Sequence, residues 1–405
     1  MQTQDYDIFI LAQSRWDNPY SCVAYCLAKE FSKHNRVFYI DHPHSVKDII
    51  KQYRNGSKIT SRLPALLFGQ KKYQKIEGLP DNFTVVIPKI TLPINWLSNG
   101  WLYNLLSKLN DKIVLSALKK TIKDYQVDKY IFLNSFDPYF FRSFPKSAKP
   151  AVNIYQTIDD MTQEKYIARH GIRLEKEALA KADINFATSK ELTRLMAKFA
   201  GNVYCLPNAA DFTLFQQAEI LTLPKPKELE GITQKVICYT GVISSRINFE
   251  LLKKTASYHH DKLLLLVGPV DGKLYKSCGL ENLPNVRFAG QKKITELPAY
   301  LQHAHCAIIP FGYSVLTKSI YPLKINEYLT AGKPVVTTAF SEDIKDFADV
   351  AYLSETEEDF VQNIQQAIDE DSAEKKTARF IKAKNNSWEA RVSQFWNFLA
   401  DANLI

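Results

Sequence analysis

Lys324 and Glu327 lie one helical turn apart in the stretch Tyr321-Pro322-Leu323-Lys324-Ile325-Asn326-Glu327-Tyr328-Leu329-Thr330-Ala331-Gly332-Lys333-Pro334-Val335-Val336, and their neighbours dictate how both are presented. Pro322 suits the first turn of a helix, where a missing N–H is no loss. Ile325, Tyr328 and Leu329 recur at helical spacing, Gly332 stops the helix and Pro334 prevents its resumption. Free N–H groups at the helix start, with Lys324 beside them, make an anion-binding arrangement. Glu327, one turn further in, can accept hydrogen bonds from sugar hydroxyls. A phosphate end and a hydroxyl-binding acid on one helix point to a sugar nucleotide.

Pro-Leu-Lys-x-x-Glu-Tyr-Leu-x-x-Gly-Lys-Pro-Val-Val resembles the donor-site signature of GT-B glycosyltransferases, in the broad group called glycosyltransferase family 4. The match is closest to the branch that works on bacterial capsule and other surface polysaccharides. Each element alone is common in α/β cores; all of them over sixteen residues favour the donor site. The resemblance implies donor contacts from Tyr321, Pro322, Leu323, Lys324 and Glu327. It also implies an acid eight residues before Glu327, where this chain has Ser319, which can hydrogen-bond but carries no charge. A Gly-Arg pair is implied after the first strand of the second domain. Gly241 is present, Val242 replaces the arginine, and Arg246 is the expected diphosphate clamp, since guanidinium matches phosphate bidentately. Gly268-Pro269 permits either close backbone approach to a ligand or a plain turn.

On the acceptor side, Asp159 and Asp160 end the run Ile154-Tyr155-Gln156-Thr157-Ile158-Asp159-Asp160. Two adjacent carboxylates at a strand end are costly unless paired or used. Relatives place a His or an Asp at about Asp159, so Asp159 or Asp160 is the candidate to accept or orient a hydroxyl proton. Asp160 could equally cap the next helix. Arg15-Trp16-Asp17 resembles an acceptor-side loop, with Trp16 stacking on a sugar and Asp17 binding hydroxyls. Asp5-x-Asp7 and Asp369-x-Asp371 lie before a strand and at a helix end, and His303 and His305 have no third ligand nearby, so no metal site is expected. No Gly-x-Gly-x-x-Gly opens either half, which counts against nicotinamide and flavin cofactors.

Positioning these residues takes an α/β chain. Apolar runs at 7–12, 36–40, 83–87, 130–133, 151–155, 184–187 and 203–206 alternate with helices at 20–31, 174–181 and 190–199. A second series follows at 236–240, 263–267, 285–288, 306–309, 335–338 and 350–353. Such alternation means right-handed βαβ units and parallel sheets. Pro207-Asn208-Ala209-Ala210-Asp211 and the Pro-rich, charged stretch to Gly231 read as a linker. The resulting architecture is GT-B, two Rossmann-like domains facing across a cleft. Residues 1–207 form the acceptor-side domain, joined by a returning helix at 386–405, and residues 208–385 the nucleotide-sugar domain.

At 405 residues, 46% apolar and 23% charged, the chain fits a soluble two-domain protein. The N-terminus lacks the basic and apolar regions of a signal peptide. The six cysteines have no metal spacing and read as reduced core thiols of a cytoplasmic protein. Residues 1–205 hold 30 Lys+Arg against 19 Asp+Glu, the remainder 22 against 24. The basic half therefore expects an acidic partner. Lysines at 47–75 around Leu63–Phe68, and at 96–122 among Trp96, Trp101, Leu102 and Leu105, fit peripheral contact with an anionic membrane at the inner face of the plasma membrane. Nucleic acid is not expected, because no recognised binding module occurs.

The expected activity is transfer of a sugar from a nucleotide diphosphate sugar to a glycan or lipid-linked acceptor. The resemblance implies retention, no metal and no cofactor beyond that co-substrate. A GT-B sugar-nucleotide epimerase and a non-catalytic binding subunit are the alternatives, the second raised by Ser319.

Overall fold

The computed structural model describes residues 5–17, 22–54, 62–163, 165–271, 276 and 279–405. Two compact units emerge. The first comprises Met1–Thr188, Leu192–Leu206 and Val392–Ile405; the second, Ser189–Glu191 and Pro207–Arg391.

The first unit is built on strands β1 (Asp7–Ala12), β2 (Val37–Ile40), β3 (Tyr73–Gln74), β4 (Phe83–Val86), β5 (Tyr130–Ser135), β6 (Val152–Thr157), β7 (Ile184–Ala187) and β8 (Val203–Cys205), in the order β3-β4-β2-β1-β5-β6-β7-β8. All neighbours pair in parallel except β3, which runs antiparallel to β4 at the edge. Every residue of β1 and β5 is buried, as expected of strands covered on both faces. Polar Asn134-Ser135 and Gln156-Thr157 extend β5 and β6 beyond their apolar runs, because backbone pairing continues whatever the side chain.

The last helix, Trp388–Asp401, closes this core from the far end of the sequence. Phe395 and Leu399 are fully buried, and the Phe395 ring lies 4.9 Å from Phe31 and 5.4 Å from Phe186. Burying each such side chain contributes about 1.5–3 kcal/mol.

The second unit carries β9 (Val236–Thr240), β10 (Leu263–Val267), β11 (Val286–Gly290), β12 (Cys306–Ile309), β13 (Val335–Thr338) and β14 (Tyr352–Ser354), all parallel, in the order β11-β10-β9-β12-β13-β14. Strand order reverses between β1 and β5 in one sheet and between β9 and β12 in the other. In open α/β sheets ligands bind beyond the carboxyl ends of the strands at such points.

Residues 207–231 are not a plain linker. They form helices Phe212–Phe215 and Gln217–Ile220 and a 3-10 turn Lys227–Leu229, and Phe215, Ala218 and Leu229 are buried. Apolar residues recurring every three or four positions outweigh the prolines there. Cys238 and Cys306 are buried thiols, whereas Cys22, Cys26 and Cys205 are only half-buried. Cys278 and the start of the helix expected from residue 20 lie outside the described residues; the helix is described over Val23–Phe31. Among the described residues no helix is long and apolar enough to cross a membrane.

Candidate functional site

The signature stretch forms a helix at Leu323–Thr330. Pro322 is its N-cap rather than a first-turn residue, and no side chain caps the helix start. At the other end Gly332 adopts φ 68°, and Lys333 N–H donates to Tyr328 O at 3.0 Å, closing the last turn. The helix is anchored through Tyr328, whose hydroxyl accepts from Thr240 N–H at 2.9 Å, at the end of β9. Ile325 and Leu329 are fully buried on the same side. This anchoring leaves the Lys324 end beside the β9–β12 switch point.

Lys324 Nζ lies 5.6 Å from the Tyr239 ring centroid and 5.9 Å from that of Phe311, within cation–π range of both. Gly241 follows β9 at φ 131°, and a Cβ built on it would lie 2.6 Å from Lys324 Nζ. The glycine is therefore what gives the lysine its place. Gly268, at φ 153°, makes a different approach from the one open in the sequence: its Cβ would collide with the Gly241 carbonyl. It lets two loops touch, with Gly241 N–H donating to Val267 O at 2.8 Å and Ile243 N–H to Pro269 O at 2.9 Å.

Arg246 is exposed and has no ion pair among the described residues. The loop carrying it is held by Gly312 N–H donating to Arg246 O at 2.9 Å. Burial raises the Tyr239 phenol, and the positive charge of Arg246 opposes that shift while adding to the lowering of Lys324, so the guanidinium acts electrostatically on both. For Lys324 the largest effect is burial, which lowers its pKa, while Glu327 opposes the shift. Glu327 is 8% exposed; burial pushes its carboxyl up to about 7, against the pull of Lys324. Lys324 and Arg246, with no ion-pair partner among the described residues, thus stand with one buried acid at the switch point, an arrangement suited to a diphosphate bearing hydroxylated sugars.

Two of the expected donor contacts, Ser319 and Tyr321, are buried. Ser319 is 2% exposed, its hydroxyl donates to Leu316 O at 2.8 Å, and its carbonyl accepts from Ser189 Oγ at 2.7 Å. It ends the helix Val315–Lys318, and the hydroxyl is spent on that turn. Tyr321 is likewise buried, its hydroxyl accepting from Asn326 Nδ2 at 3.2 Å. Tyr239 and Phe311, the aromatic walls beside Lys324, had no signal in linear spacing. Their one mark is their position, at the end of β9 and just after β12.

In the first unit, Arg15, Trp16 and Asp17 follow β1 and belong to a charged lattice. Arg62 donates to Asp17 Oδ2 at 2.6 Å and Asp41 Oδ2 at 3.4 Å, and stands 5.5 Å over the Trp16 ring. Arg62 therefore takes one face that was expected for a sugar. Arg15 donates to His42 O at 3.3 Å and lies 3.6 Å from Asp48. Asp41, almost fully buried, is pushed up to about 6 despite Arg62 and Arg15. Asp159 and Asp160 follow β6. Asp160 Oδ1 accepts from Thr162 N–H at 2.9 Å and Thr162 Oγ1 at 2.7 Å, so this residue does cap the next turn.

The basic and apolar segments of this unit are sorted by the fold. Trp96 is 68% exposed and Trp101 77%, and Leu102, Leu105 and Leu109 continue outward along the helix Trp101–Asp124 with Lys108 and Lys112. Of Leu63–Phe68, Leu66 is buried and Leu67 and Phe68 are exposed. These segments converge: Ile90 N–H donates to Leu66 O at 3.2 Å, and Leu92 exchanges hydrogen bonds of 2.8 and 2.9 Å with the Asn110 side chain. Lys72 and Lys75 do not join this face. Lys72 is buried 3.2 Å from Asp124, and Lys75 donates to Thr84 Oγ1 at 2.8 Å.

Residues 234–370 match the family described as Glycosyl transferases group 1. TuaH of Bacillus subtilis (strain 168), named for a glycosyltransferase role in teichuronic acid biosynthesis, is 30% identical over 151 residues, a match spanning 37% of each chain. Sucrose-phosphate synthase of Thermosynechococcus elongatus superposes over 98% of both chains with a TM-score of 0.63 at 16% identity. Anabaena HepE in complex with UDP and glucose does so over 98% of this chain and 99% of its own, with a TM-score of 0.60 at 14% identity. Such identities speak for fold alone. The resemblance drawn from the signature, to GT-B glycosyltransferases, and the two-sheet α/β fold it implied are both borne out.

Proposed function

We propose that this chain is a glycosyltransferase that moves a sugar from a nucleotide diphosphate sugar to a glycan or lipid-linked acceptor, with retention and without a metal. The observation that carries the reading is the pair of cations at the β9–β12 switch point, Lys324 packed against Gly241 and Arg246 on the loop that follows this glycine. When the bond from the anomeric carbon to the diphosphate breaks, negative charge grows on the leaving oxygen. Lys324, Arg246 and the first amides of the Leu323–Thr330 helix stabilise that charge without reorganising. Glu327 accepts from sugar hydroxyls. The second unit is then the donor domain and the first, with Asp159 in the loop after β6, the acceptor domain.

TuaH suggests a bacterial surface polysaccharide such as capsule as the product class, and the HepE complex suggests UDP as the first nucleotide to try. The exposed Trp, Leu and Lys of the first unit support a further part of the reading. This face rests on anionic lipid at the cytoplasmic side of a membrane, where a lipid-linked acceptor is within reach.

Incubating the protein with UDP-sugars tests the reading. Release of UDP with formation of a glycoside supports it. Interconversion of the sugar would make the protein an epimerase, and binding without turnover a non-catalytic subunit.

A further inference from the structure

We propose that the second unit holds another binding site, at the amino edge of its sheet, for the phosphate group of a small soluble molecule. A cavity of about 440 Å³ opens there, with Lys235, His303, His305, Lys333, Asp371 and Lys376 on its wall. Three neighbouring strands bring these groups together: Lys235 directly precedes β9, His305 directly precedes β12, and Lys333 stands two residues before β13. Since β9 is five residues long, this edge lies about 15 Å from Gly241 at the other end. The cavity is therefore separate from the donor site and belongs to the second unit alone.

The wall offers donors and positive charge. His305 Nδ1 accepts from Val236 N–H at 3.0 Å, and His305 N–H donates to Val236 O at 2.8 Å. That pairing fixes the tautomer, with Nδ1 bare and the proton on Nε2. His305 is exposed, and Nε2–H has no acceptor among the described residues. His303 Nε2 is buried with no hydrogen-bond partner among the described residues, where polar atoms are normally paired. The Lys333 side chain is 12% exposed; its ammonium donates to Gln302 O at 3.2 Å and stands 3.7 Å from Glu219. Glu219 is shared with Lys376, at 2.8 Å, so one carboxylate faces two ammonium groups. The other acids are also engaged: Asp371 accepts from buried Arg379 at 2.5 Å, and Asp369 stands 3.7 Å from Lys235. Burial lowers the pKa of both histidines, and lysines lower it further: Lys225 and Lys333 at His303, Lys333 and Lys235 at His305. This positive field is local, because residues 206–405 as a whole hold 22 Lys+Arg against 24 Asp+Glu.

A phosphate monoester matches these parts. It brings about two negative charges near neutral pH and three acceptor oxygens, which lysine ammonium groups and a neutral imidazole N–H can share. The volume falls in the range of small-molecule pockets, about 300–1,000 Å³. The signature stretch thus carries two lysines with different duties: Lys324 at the donor end of its helix, and Lys333 beyond the other end, facing this cavity.

Calorimetry on the full chain tests the proposal. UDP is titrated first, which checks the donor site by itself, and is then kept at saturation while glucose 6-phosphate, inorganic phosphate or glucose is added. Glucose 6-phosphate or inorganic phosphate should bind and glucose should not, and the tighter of the two anions identifies the source of the phosphate. Lys333→Gln should weaken that binding about tenfold or more with UDP affinity unchanged. The exposed pair Lys235→Gln with His305→Gln should also weaken it about tenfold, so the outcome does not hang on folding around a half-buried lysine. Absence of phosphate binding to the UDP-loaded protein overturns the proposal and leaves the glycosyltransferase reading standing. Binding that these variants leave as tight as in the wild type overturns it equally.

Discussion

Gly241 and Lys324 share one small space: a Cβ on the glycine would lie 2.6 Å from the lysine Nζ and would overlap its Cε. A positively charged group is thereby admitted to the switch point by the absence of a side chain two strands' connections away. Gly241→Ala should expel the ammonium and also strain a backbone held at φ 131°. The expected result is about a tenfold loss of nucleoside diphosphate affinity, measured by calorimetry, with cooperative unfolding retained.

Glu327 links the site to stability. Its carboxyl titrates near 7 in the folded protein and near 4.5 when unfolded, so the folded state holds the proton more tightly. Stability should fall as pH rises from about 4.5 to about 7, then level off. Glu327→Gln removes this loss, so its melting temperature relative to wild type should climb between pH 5 and pH 8, by an amount equivalent to about 1–3 kcal/mol. The same variant should bind nucleotide sugar more weakly. A difference in melting temperature that stays flat with pH would show that Glu327 is not the buried acid described.

The two aspartates after β6 should part company. Asp160→Ala loses the cap on Thr162 and should cost about 0.5–2 kcal/mol in thermal unfolding, with kcat/KM little changed. Asp159→Asn should lower turnover about 100-fold, the range for a positioned proton acceptor, with donor affinity kept.

Membrane contact should follow the exposed face rather than the total charge. In co-sedimentation with phosphatidylglycerol vesicles, Trp101→Ser, or Lys108→Gln with Lys112→Gln, should reduce binding, whereas Lys75→Gln should not. Each engaged lysine contributes about 1 kcal/mol near an anionic surface. Binding should weaken as the Debye length falls from about 10 Å at 0.1 M salt to about 3 Å at 1 M. Equal recovery with neutral vesicles would remove the lipid from the reading.

Much of this was legible in the sequence because it is local. The strands announce themselves as apolar runs, and the Pro322-to-Gly332 helix carries its own start and stop. What was not legible is long-range. The Ser319 hydroxyl folds back on Leu316, and Arg62 reaches Asp17 across 45 positions. Short helices within residues 207–231 were masked by prolines, since composition outvoted a weak apolar period.

The central claim is that Lys324 and Arg246 bind the donor diphosphate, and calorimetry with UDP tests it most directly. Lys324→Ala should weaken UDP binding by about 1.5–3 kcal/mol, the scale of a charge-assisted hydrogen bond, and Arg246→Ala by a similar amount. Variants that bind UDP as tightly as the wild type would contradict the account and move the donor site elsewhere.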